Sequence, residues 1–183
     1  MAANTSNTKN LILCAMFAAL AAIGAAISIP LPFSPVPVTF ATLAVMLAGG
    51  LLGPKYGVIS ACIYILLGAV GLPVFHNFTG GIGILAGPTG GFIIGYPLIA
   101  LLNGILSPVA LKKKEGASFV LLSVFSYIAS LTCYVPGIAW FMISAGAGFK
   151  SAMAMCFLPF IIGDILKALA CGFMIRRLRA FRI

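Results

Sequence analysis

Acidic residues are almost absent from this sequence. Aspartate and glutamate together number 2 in 183 residues, and all charged residues amount to 7% of the chain, whereas soluble proteins carry about 25%. So few charges cannot cover a surface that faces water, which excludes an ordinary soluble domain. Intrinsic disorder is excluded as well, because disordered chains have low hydrophobicity and this one is 62% apolar. The composition predicts an integral membrane protein.

Groups that carry enzyme chemistry are equally scarce. The acids are Glu115, which stands beside a run of lysines, and Asp164, and the single histidine is His76. They form no recognisable constellation of nucleophile, base and acid, and the sequence has no G-x-x-x-x-G-K-[ST] phosphate loop. The 5 cysteines form no C-x-x-C pair or cysteine–histidine cluster, so we expect neither a metal site nor a cofactor. The sequence predicts a protein that is not an enzyme.

Long stretches without charge set the number of membrane crossings. A helix needs about 20 mostly apolar residues to cross the hydrocarbon, and segments such as PLPFSPVP and GPKYG divide the longest uncharged stretches. We therefore expect one transmembrane domain over residues 1–183, folded as an all-α bundle of six helices. Their approximate bounds are 11–29, 38–52, 58–72, 90–106, 119–144 and 152–175.

Positive charges fall on one side of this six-helix arrangement. With a cytosolic N-terminus, every lysine and arginine except Lys150 and Lys167 lies on the inner side. These inner residues are Lys9, Lys55, Lys112, Lys113, Lys114, Arg176, Arg177, Arg179 and Arg182. The bias follows the positive-inside rule, so we expect a multi-pass protein of the cytoplasmic (inner) membrane with both termini cytosolic. Topology and contact with membrane lipid then explain the net charge of +9 without a nucleic-acid partner.

Asp164 and Lys167 lie in the middle of the last expected helix, within FIIGDILKALACGF. Their i,i+3 spacing places both side chains on one helical face, where they can pair. A charged side chain near the bilayer centre costs about 2.5–3.5 kcal/mol on insertion scales, and intramembrane charges usually face a cavity or a pathway. We expect the pair to line a ligand pocket in which Asp164 accepts N–H donors. The alternative is a buried pair that only fixes helix packing.

A glycine-rich loop offers a second wall for such a pocket. HNFTGGIGILAGPTGGF combines glycines with the polar residues Asn77 and Thr79, and non-helical backbone at membrane depth is tolerated where it lines a cavity. The alternative is a plain surface connection. In the fifth expected helix, a Pro-Gly pair predicts a kink beside Tyr134 and Trp140. These rings would close over an apolar ligand or, alternatively, anchor the helix at the membrane interface.

Small residues recur at four-residue spacing in the first helix, at Ala15 and Ala19 and again at Ala22 and Ala26. Such faces allow helices to approach closely in lipid. The spacing alone leaves open whether the partner helix belongs to this chain or to another protein.

The motifs VPVTFATLAVMLAGGLLGPKYG, GLPVF, GPTGGFIIGYPL and GDILKA followed by RRL occur in this order. In them the chain resembles the BioY family, the biotin-binding S components of energy-coupling-factor (ECF) transporters, from about Ala15 to Leu178. The resemblance implies a compact six-helix S-component bundle with its pocket toward the outer face and biotin as the ligand. It also implies a membrane coupling protein and two ATPase subunits as partners. Whether the chain instead works alone or as a homo-oligomer stays open.

The resemblance also assigns roles to individual residues. The family's G-D-x-x-K-A pattern, which contacts biotin, falls on Asp164 and Lys167. The polar residue before the family's Gly-Gly turn falls on Thr79, ahead of Gly80 and Gly81. The complete expected binding set is Asp164, Lys167, Thr39, Asn77, Thr79, Gly80, Gly81, Tyr134 and Trp140.

The resemblance also implies a partner surface, and the sequence departs from the family pattern at three places. The Ala-x-x-x-Ala motif of S components, which docks on the coupling protein, falls on Ala15 and Ala19 and favours a partner outside this chain. A glutamine common in the family's second helix is Ala41 here, and the proline usual before G-D is Ile162. HNF, residues 76–78, replaces a stretch of small residues. These departures affect the detailed contacts more than the substrate.

The sequence therefore predicts high-affinity capture and uptake of biotin by the substrate-specific subunit of an ECF-type transporter. The ureido N–H groups of biotin suit Asp164 as an acceptor, and its apolar rings suit aromatic walls. One alternative is an S component for another vitamin, thiamine or riboflavin. A further alternative is a membrane enzyme that uses Asp164 as acid and base.

Overall fold

Helices make up most of the structure, a computed structural model that describes residues 2–32 and 34–180. The helices are α1 (Ala2–Ala26), α2 (Ala41–Ala69), α3 (Ile82–Ala86), α4 (Gly90–Ile94), α5 (Tyr96–Leu111), α6 (Glu115–Leu131), α7 (Tyr134–Ala145), α8 (Phe149–Cys156) and α9 (Phe160–Ala180). Strands β1 (Ser28–Leu31) and β2 (Ser34–Thr39) and a 3-10 turn at His76–Phe78 complete the described elements. Arg182, expected on the inner side, lies outside the described residues.

Four helical stretches in the described part of the chain are long and apolar enough to cross a membrane. They are Asn7–Ala26, Ala41–Ala69, Gly90–Leu111 and Glu115–Ala145. A fifth candidate is the pair Phe149–Cys156 and Phe160–Arg179, whose axes are bent by 46°. These candidates fit a multi-pass membrane protein, and the count of six crossings stays a prediction.

The expected second and third helices form one element, α2, which reverses its direction at Gly53. Gly53 has φ +82° and ψ 177°, a conformation that glycine alone adopts without strain. Gly49 and Gly57 pack so closely that a Cβ atom on Gly57 would lie 2.7 Å from the Cα atom of Gly49. In a straight helix these two residues would be about 12 Å apart. The two arms of α2 therefore pack against each other, and the GPKYG turn lies at one end of the bundle.

The segment between α1 and α2 is an antiparallel β hairpin in which Ser28 is paired with Thr39. Prolines recur through this segment. Each one fixes its own φ, lacks an N–H donor and disfavours helical geometry in the residue before it. The chain therefore cannot remain helical here, and extended backbone is favoured. The all-α prediction does not hold for this segment, and the two expected helices on either side end at Ala26 and begin at Ala41.

Helix α1 packs through one face of small residues and leaves another uncovered. Cys14 and Ala18 are at most 1% exposed, and the Ser60 hydroxyl of α2 donates a hydrogen bond to the Cys14 carbonyl at 2.9 Å. Ala15 and Ala19, the stripe singled out in the sequence, are both exposed. Packing within the chain thus uses the neighbouring stripe and leaves Ala15 and Ala19 accessible.

Basic residues gather at one end of the bundle, here called the basic end. Arg176 of α9 pairs with Glu115 at the start of α6, with Nη2 and Oε1 2.7 Å apart. Arg179 of α9 donates to the carbonyl of Gly50, 3.1 Å away and just before the turn of α2. The end of α9, the start of α6 and the turn of α2 therefore lie together.

The first helix connects this basic end to the hairpin. Near the start of α1, the Asn7 side chain accepts a hydrogen bond from the Tyr56 hydroxyl, 3.2 Å away in the turn of α2. At the other end of α1, the Ser28 hydroxyl in the hairpin donates to Oδ1 of Asn77 at 2.7 Å. The hairpin and the 76–78 turn thus meet at the end of the bundle opposite the basic residues, here called the hairpin end.

Candidate ligand-binding site

The two charged side chains of α9 form a buried ion pair. Asp164 is 5% exposed and Lys167 is 7% exposed, and Oδ1 of Asp164 lies 2.9 Å from Nζ of Lys167. Helical spacing of three residues brings the two groups together, as the sequence predicted. A buried charge is tolerated only when it is paired and hydrogen-bonded. The pair satisfies this requirement and has no net charge.

Each member of the ion pair has one further partner from another helix. The Tyr134 hydroxyl of α7 donates to Oδ2 of Asp164 at 2.5 Å. Nζ of Lys167 donates to Oγ1 of Thr42 in α2 at 3.0 Å. These contacts hold the carboxylate and the ammonium group in fixed positions. Both groups retain unused hydrogen-bonding capacity, because a carboxylate has about four acceptor positions and an ammonium group has three donors.

A cavity of about 440 Å³, including its open mouth, adjoins the pair. Its walls are mostly apolar and aromatic, and they come from β2, α2, α4, α5, α6, α7 and α9 and from the turn between α6 and α7. The lining residues are Val36, Pro37, Thr39, Thr42, Phe92, Tyr96, Ser130, Cys133, Tyr134, Phe160, Asp164 and Lys167. Small-molecule sites in proteins have this character, with few polar groups among apolar walls. We call this cavity the ion-pair lobe.

Aromatic rings surround the ion pair. The Tyr134 ring packs edge-to-face against Phe92, with centroids 5.8 Å apart, and against Phe157, with centroids 5.2 Å apart. Tyr96 stacks on Tyr64 at 6.0 Å. Because such rings present apolar faces, they suit a ligand with flat or aliphatic rings.

A second cavity of about 320 Å³ adjoins the first at the hairpin end. The two share the wall residues Val36, Pro37, Thr39, Phe92 and Tyr96. The second cavity is completed by Ala25, Tyr64, His76, Thr89 and Ile93. We call it the histidine lobe, because the imidazole of His76 forms part of its wall.

His76 is only partly exposed, and its Nδ1 atom is buried without a hydrogen-bond partner among the described residues. Burial lowers the pKa of His76, because the charged imidazolium loses its hydration. The side chain is therefore neutral near pH 7. The sequence identified His76 as a lone histidine in a loop, and it gave no indication that this residue faces a cavity.

The loop residues of the expected binding set shape the turn and do not line either lobe as the structure describes them. The Thr79 hydroxyl donates to the carbonyl of His76 at 2.7 Å, and Asn77 is held by Ser28 of the hairpin. Gly81 has φ +98°, and its N–H donates to the carbonyl of Gly68 at 2.7 Å.

Gly80 and Trp140 also act on the loop. A Cβ atom on Gly80 would lie 2.2 Å from the carbonyl oxygen of Leu72, so only glycine fits this close approach. The Trp140 indole N–H donates to the carbonyl of Gly87 at 3.1 Å, and the residue is 37% exposed. Their roles in binding stay predictions, since the contacts that the structure gives them are with the backbone of the loop and of the neighbouring helix end.

Of the expected binding set, Asp164, Lys167, Tyr134 and Thr39 meet at the ion-pair lobe. Several other wall residues were not expected from the sequence, including Thr42, Phe92 and Tyr96. Thr42 and Ser130 lie close in sequence to Thr39 and Tyr134, but each pair spans two different elements, so helical spacing alone does not place them at the site. Phe92 and Tyr96 are brought to the site from α4 and α5 by tertiary packing, which spacing does not reveal.

The fold and the site together define a multi-pass membrane protein that encloses a pocket for a small molecule with both polar and apolar parts. A model of the BioY family matches residues 1–182. The chain belongs to the BioY family.

Individual relatives agree with this assignment. The chain is 39% identical over 171 residues to the probable biotin transporter BioY of Pyrococcus horikoshii, which covers 93% of this chain and 96% of that protein. It is also 39% identical over 168 residues to the biotin transporter BioY of Thermotoga maritima, covering 91% of this chain and 83% of that protein. A crystal structure of the S-component for biotin from an ECF-type ABC transporter matches with a TM-score of 0.83 and 30% identity, covering 97% of this chain and 94% of that one.

Proposed function

We propose that this chain captures biotin in the ion-pair lobe and takes it up as the substrate-specific S subunit of an ECF-type transporter. The observation that carries this function is the buried Asp164–Lys167 pair, which faces a cavity of about 440 Å³. Membership of the BioY family agrees with it. The chain is thus a transporter subunit rather than an enzyme.

The ion pair is complementary to a ureido group. Such a group is neutral and presents N–H donors beside a carbonyl acceptor. Asp164 accepts from one N–H group, and Lys167 donates to the adjacent carbonyl oxygen. The rings of the ligand pack against Phe92 and Tyr134, where apolar surface is removed from water. A ligand without matching polar groups takes water from the two side chains without replacing its hydrogen bonds, and it is rejected.

The loop residues of the expected binding set act on access to the cavity in this proposal. Thr79 and Asn77 fix the turn that lies beside the two lobes, and Gly80 and Gly81 let the backbone pass close to the end of α2. Trp140 holds the other end of the loop at Gly87. Ligand entry then requires this loop to move away from the hairpin end.

Six crossings with both termini in the cytosol suit the distribution of charge. The basic end joins the start of α1, the turn of α2, the start of α6 and the end of α9. Facing this end toward the cytosol satisfies the positive-inside rule in a cytoplasmic membrane. The hairpin end and the binding lobes then face the outside, from which biotin is captured. The two arms of α2 supply the second and third crossings.

Energy for uptake comes from partner subunits in this proposal, since the sequence has no phosphate loop. The partners are a membrane coupling protein and two ATPases. Ala15 and Ala19 are small and exposed on α1, which suits close approach of a helix from the coupling protein. A homo-oligomer would use the same lipid-facing surfaces.

Ligand binding to the purified full-length protein tests the function. Equilibrium dialysis with labelled biotin, thiamine and riboflavin should give tight binding of biotin alone. Asp164→Asn should weaken biotin binding about 100-fold, because truncating a buried charged partner costs about 2–5 kcal/mol. Glu115→Gln is the matched control, since it alters the other acid of the chain, whose side chain is 90% exposed.

Three results would contradict the proposal. Nanomolar binding of thiamine or riboflavin without biotin binding would identify an S component for another vitamin. Equal biotin binding by Asp164→Asn and by the unmodified protein would show that the ion pair does not take part in binding biotin. Turnover of a substrate that Asp164→Asn abolishes while ligand binding persists would favour the membrane enzyme.

A further inference from the structure

The imidazole of His76, which lines the histidine lobe, has an unsatisfied ring nitrogen. Its Nδ1 is buried without a partner in the part of the chain that the structure describes, and the residue lines the lobe. A buried polar atom that lacks a hydrogen bond costs about 1–3 kcal/mol. Native proteins rarely retain such an atom unless a ligand or water satisfies it. Nδ1 is also closed to water, so a polar group of a ligand in the lobe can satisfy it only after the imidazole rotates toward the lobe.

The turn that positions His76 is strained. Asn77 and Phe78, which follow it directly, have φ of +54° and +56°. The left-handed region costs about 1–3 kcal/mol for a residue other than glycine and persists where the surrounding structure enforces it. Here Ser28 holds the Asn77 side chain, and Thr79 donates to the carbonyl of His76. The imidazole is thus held in place by a strained turn that is fastened on both sides.

Charge distinguishes the two lobes. In the ion-pair lobe the positive charge of Lys167 is already balanced by Asp164 at 2.9 Å, so an anionic group gains no net counter-charge there. Among the described residues that line the two lobes, His76 is the other side chain with a basic nitrogen, and as a neutral imidazole it offers an N–H donor that no counter-ion occupies. An anion that reaches the histidine lobe meets no acidic side chain on its described walls.

We propose that His76 determines specificity for the carboxylate end of the ligand, a step that rests on the proposed function. The ureido ring contacts both Asp164 and Lys167 at the ion-pair lobe, beside the intact ion pair. The aliphatic tail follows the wall that the two lobes share, beside Val36 and Pro37. The carboxylate then accepts a hydrogen bond from the imidazole N–H of His76 in the histidine lobe.

This orientation uses the polar groups of the site better than its reverse. With the carboxylate at Lys167, the ligand would compete with Asp164 for the ammonium group and would place two negative charges side by side. Like charges at such separations repel each other strongly in a buried site. With the carboxylate at His76, the ion pair keeps its balance and the unpaired Nδ1 gains a partner.

Binding of biotin and of its methyl ester to the purified full-length protein tests this assignment. The ester keeps the ureido ring and the tail but lacks the negative charge. The unmodified protein should bind biotin about 10- to 100-fold more tightly than the ester, as expected for a hydrogen bond to a charged group. His76→Ala should weaken biotin binding by a similar factor and leave ester binding unchanged. His76→Asn, which keeps an N–H donor near the position of Nδ1, should restore part of the preference.

Phe78→Gly is the matched control. It alters the same turn at a residue that is 71% exposed and relieves its left-handed strain, so it should keep the preference for the acid.

If the unmodified protein bound acid and ester equally, His76 would have no such role even with the proposed function intact. If His76→Ala weakened the binding of biotin and of its ester by the same factor, the preference for the acid would be unchanged and the assignment would be wrong. If Lys167→Met lost the preference for the acid and His76→Ala kept it, the ligand would lie in the reverse orientation, with its carboxylate at Lys167. If the unmodified protein did not bind biotin at all, the proposed function itself would be wrong.

Discussion

Helix α9 carries two ion pairs whose surroundings differ sharply. Asp164 and Lys167 are 2.9 Å apart, and each side chain is 7% exposed. Arg176 and Glu115 are 2.7 Å apart, but their side chains are 35% and 90% exposed. The first pair faces a cavity near the hairpin end, whereas the second joins α9 to the start of α6 at the basic end.

The comparison shows that burial, and not separation, determines what an ion pair does. Water screens the exposed pair, and such pairs contribute about 0–1 kcal/mol to stability. The buried pair gains a stronger attraction, but both ions lose their hydration, so the net stabilisation is small or absent. A pair that adds little stability and faces a cavity is better explained by ligand binding than by helix packing.

The largest expected effect separates these two explanations for the buried pair. Asp164→Asn leaves Lys167 buried without its counter-ion, which should lower the free energy of unfolding by about 3–5 kcal/mol. The double variant Asp164→Asn with Lys167→Met removes both charges and should regain most of that stability. Biotin binding should remain lost in the double variant, because the ureido group has no charged partner. Thermal unfolding and equilibrium dialysis on the same samples measure the two quantities.

The double variant provides its own control, because its stability reports on packing while its dissociation constant reports on the ligand. Recovery of biotin binding together with stability would mean that the pair serves packing alone. In that case the difference between the two ion pairs of α9 would have no functional meaning.

A smaller effect is expected from the hydroxyl that orients the buried carboxylate. Tyr134→Phe keeps the aromatic wall but removes the donor to Oδ2 of Asp164. A hydrogen bond to a charged group contributes about 1.5–3 kcal/mol, so biotin affinity should fall at least about tenfold. Isothermal titration calorimetry measures this change. Tyr127→Phe, a change of the same chemistry on α6, should leave affinity unaltered, and unchanged or tighter binding in Tyr134→Phe would contradict the orienting role.

The smallest effect is expected at the exposed pair. Arg176→Gln should change the free energy of unfolding by less than about 1 kcal/mol and should leave the dissociation constant for biotin unchanged. The same thermal unfolding and dialysis measurements apply. A loss of stability comparable to that of Asp164→Asn would show that exposure does not distinguish the two pairs.

Local features of the site could be predicted from the sequence because they depend on helical geometry. The spacing of Asp164 and Lys167 places them on one face, and the structure pairs them as expected. The break at the GPKYG segment was also predictable, because glycine and proline interrupt helices, and α2 reverses at Gly53. The scarcity of charge identified a membrane protein without any knowledge of tertiary contacts.

Features that depend on distant parts of the chain could not be predicted in this way. Nothing near His76 indicates that it lines a cavity with Tyr64 and Tyr96, because α2, α5 and the 76–78 turn meet only in the folded bundle. The hairpin was expected only as an interruption, since prolines exclude a helix but do not specify strand pairing. Asn77 and Trp140 were expected at the ligand, whereas their hydrogen bonds in the structure are to the hairpin and to the loop backbone.

The electrical balance of the Asp164–Lys167 pair has a consequence for transport against the membrane potential. A charge that crosses the whole membrane gains or loses about 2.3 kcal/mol per 100 mV. Any reorientation of the protein moves the carboxylate and the ammonium group together, so their contributions to this electrical work nearly cancel. The carboxylate of biotin is not cancelled in this way, and an interior-negative voltage opposes its entry. The voltage therefore acts on the cargo and not on the ion pair that holds it.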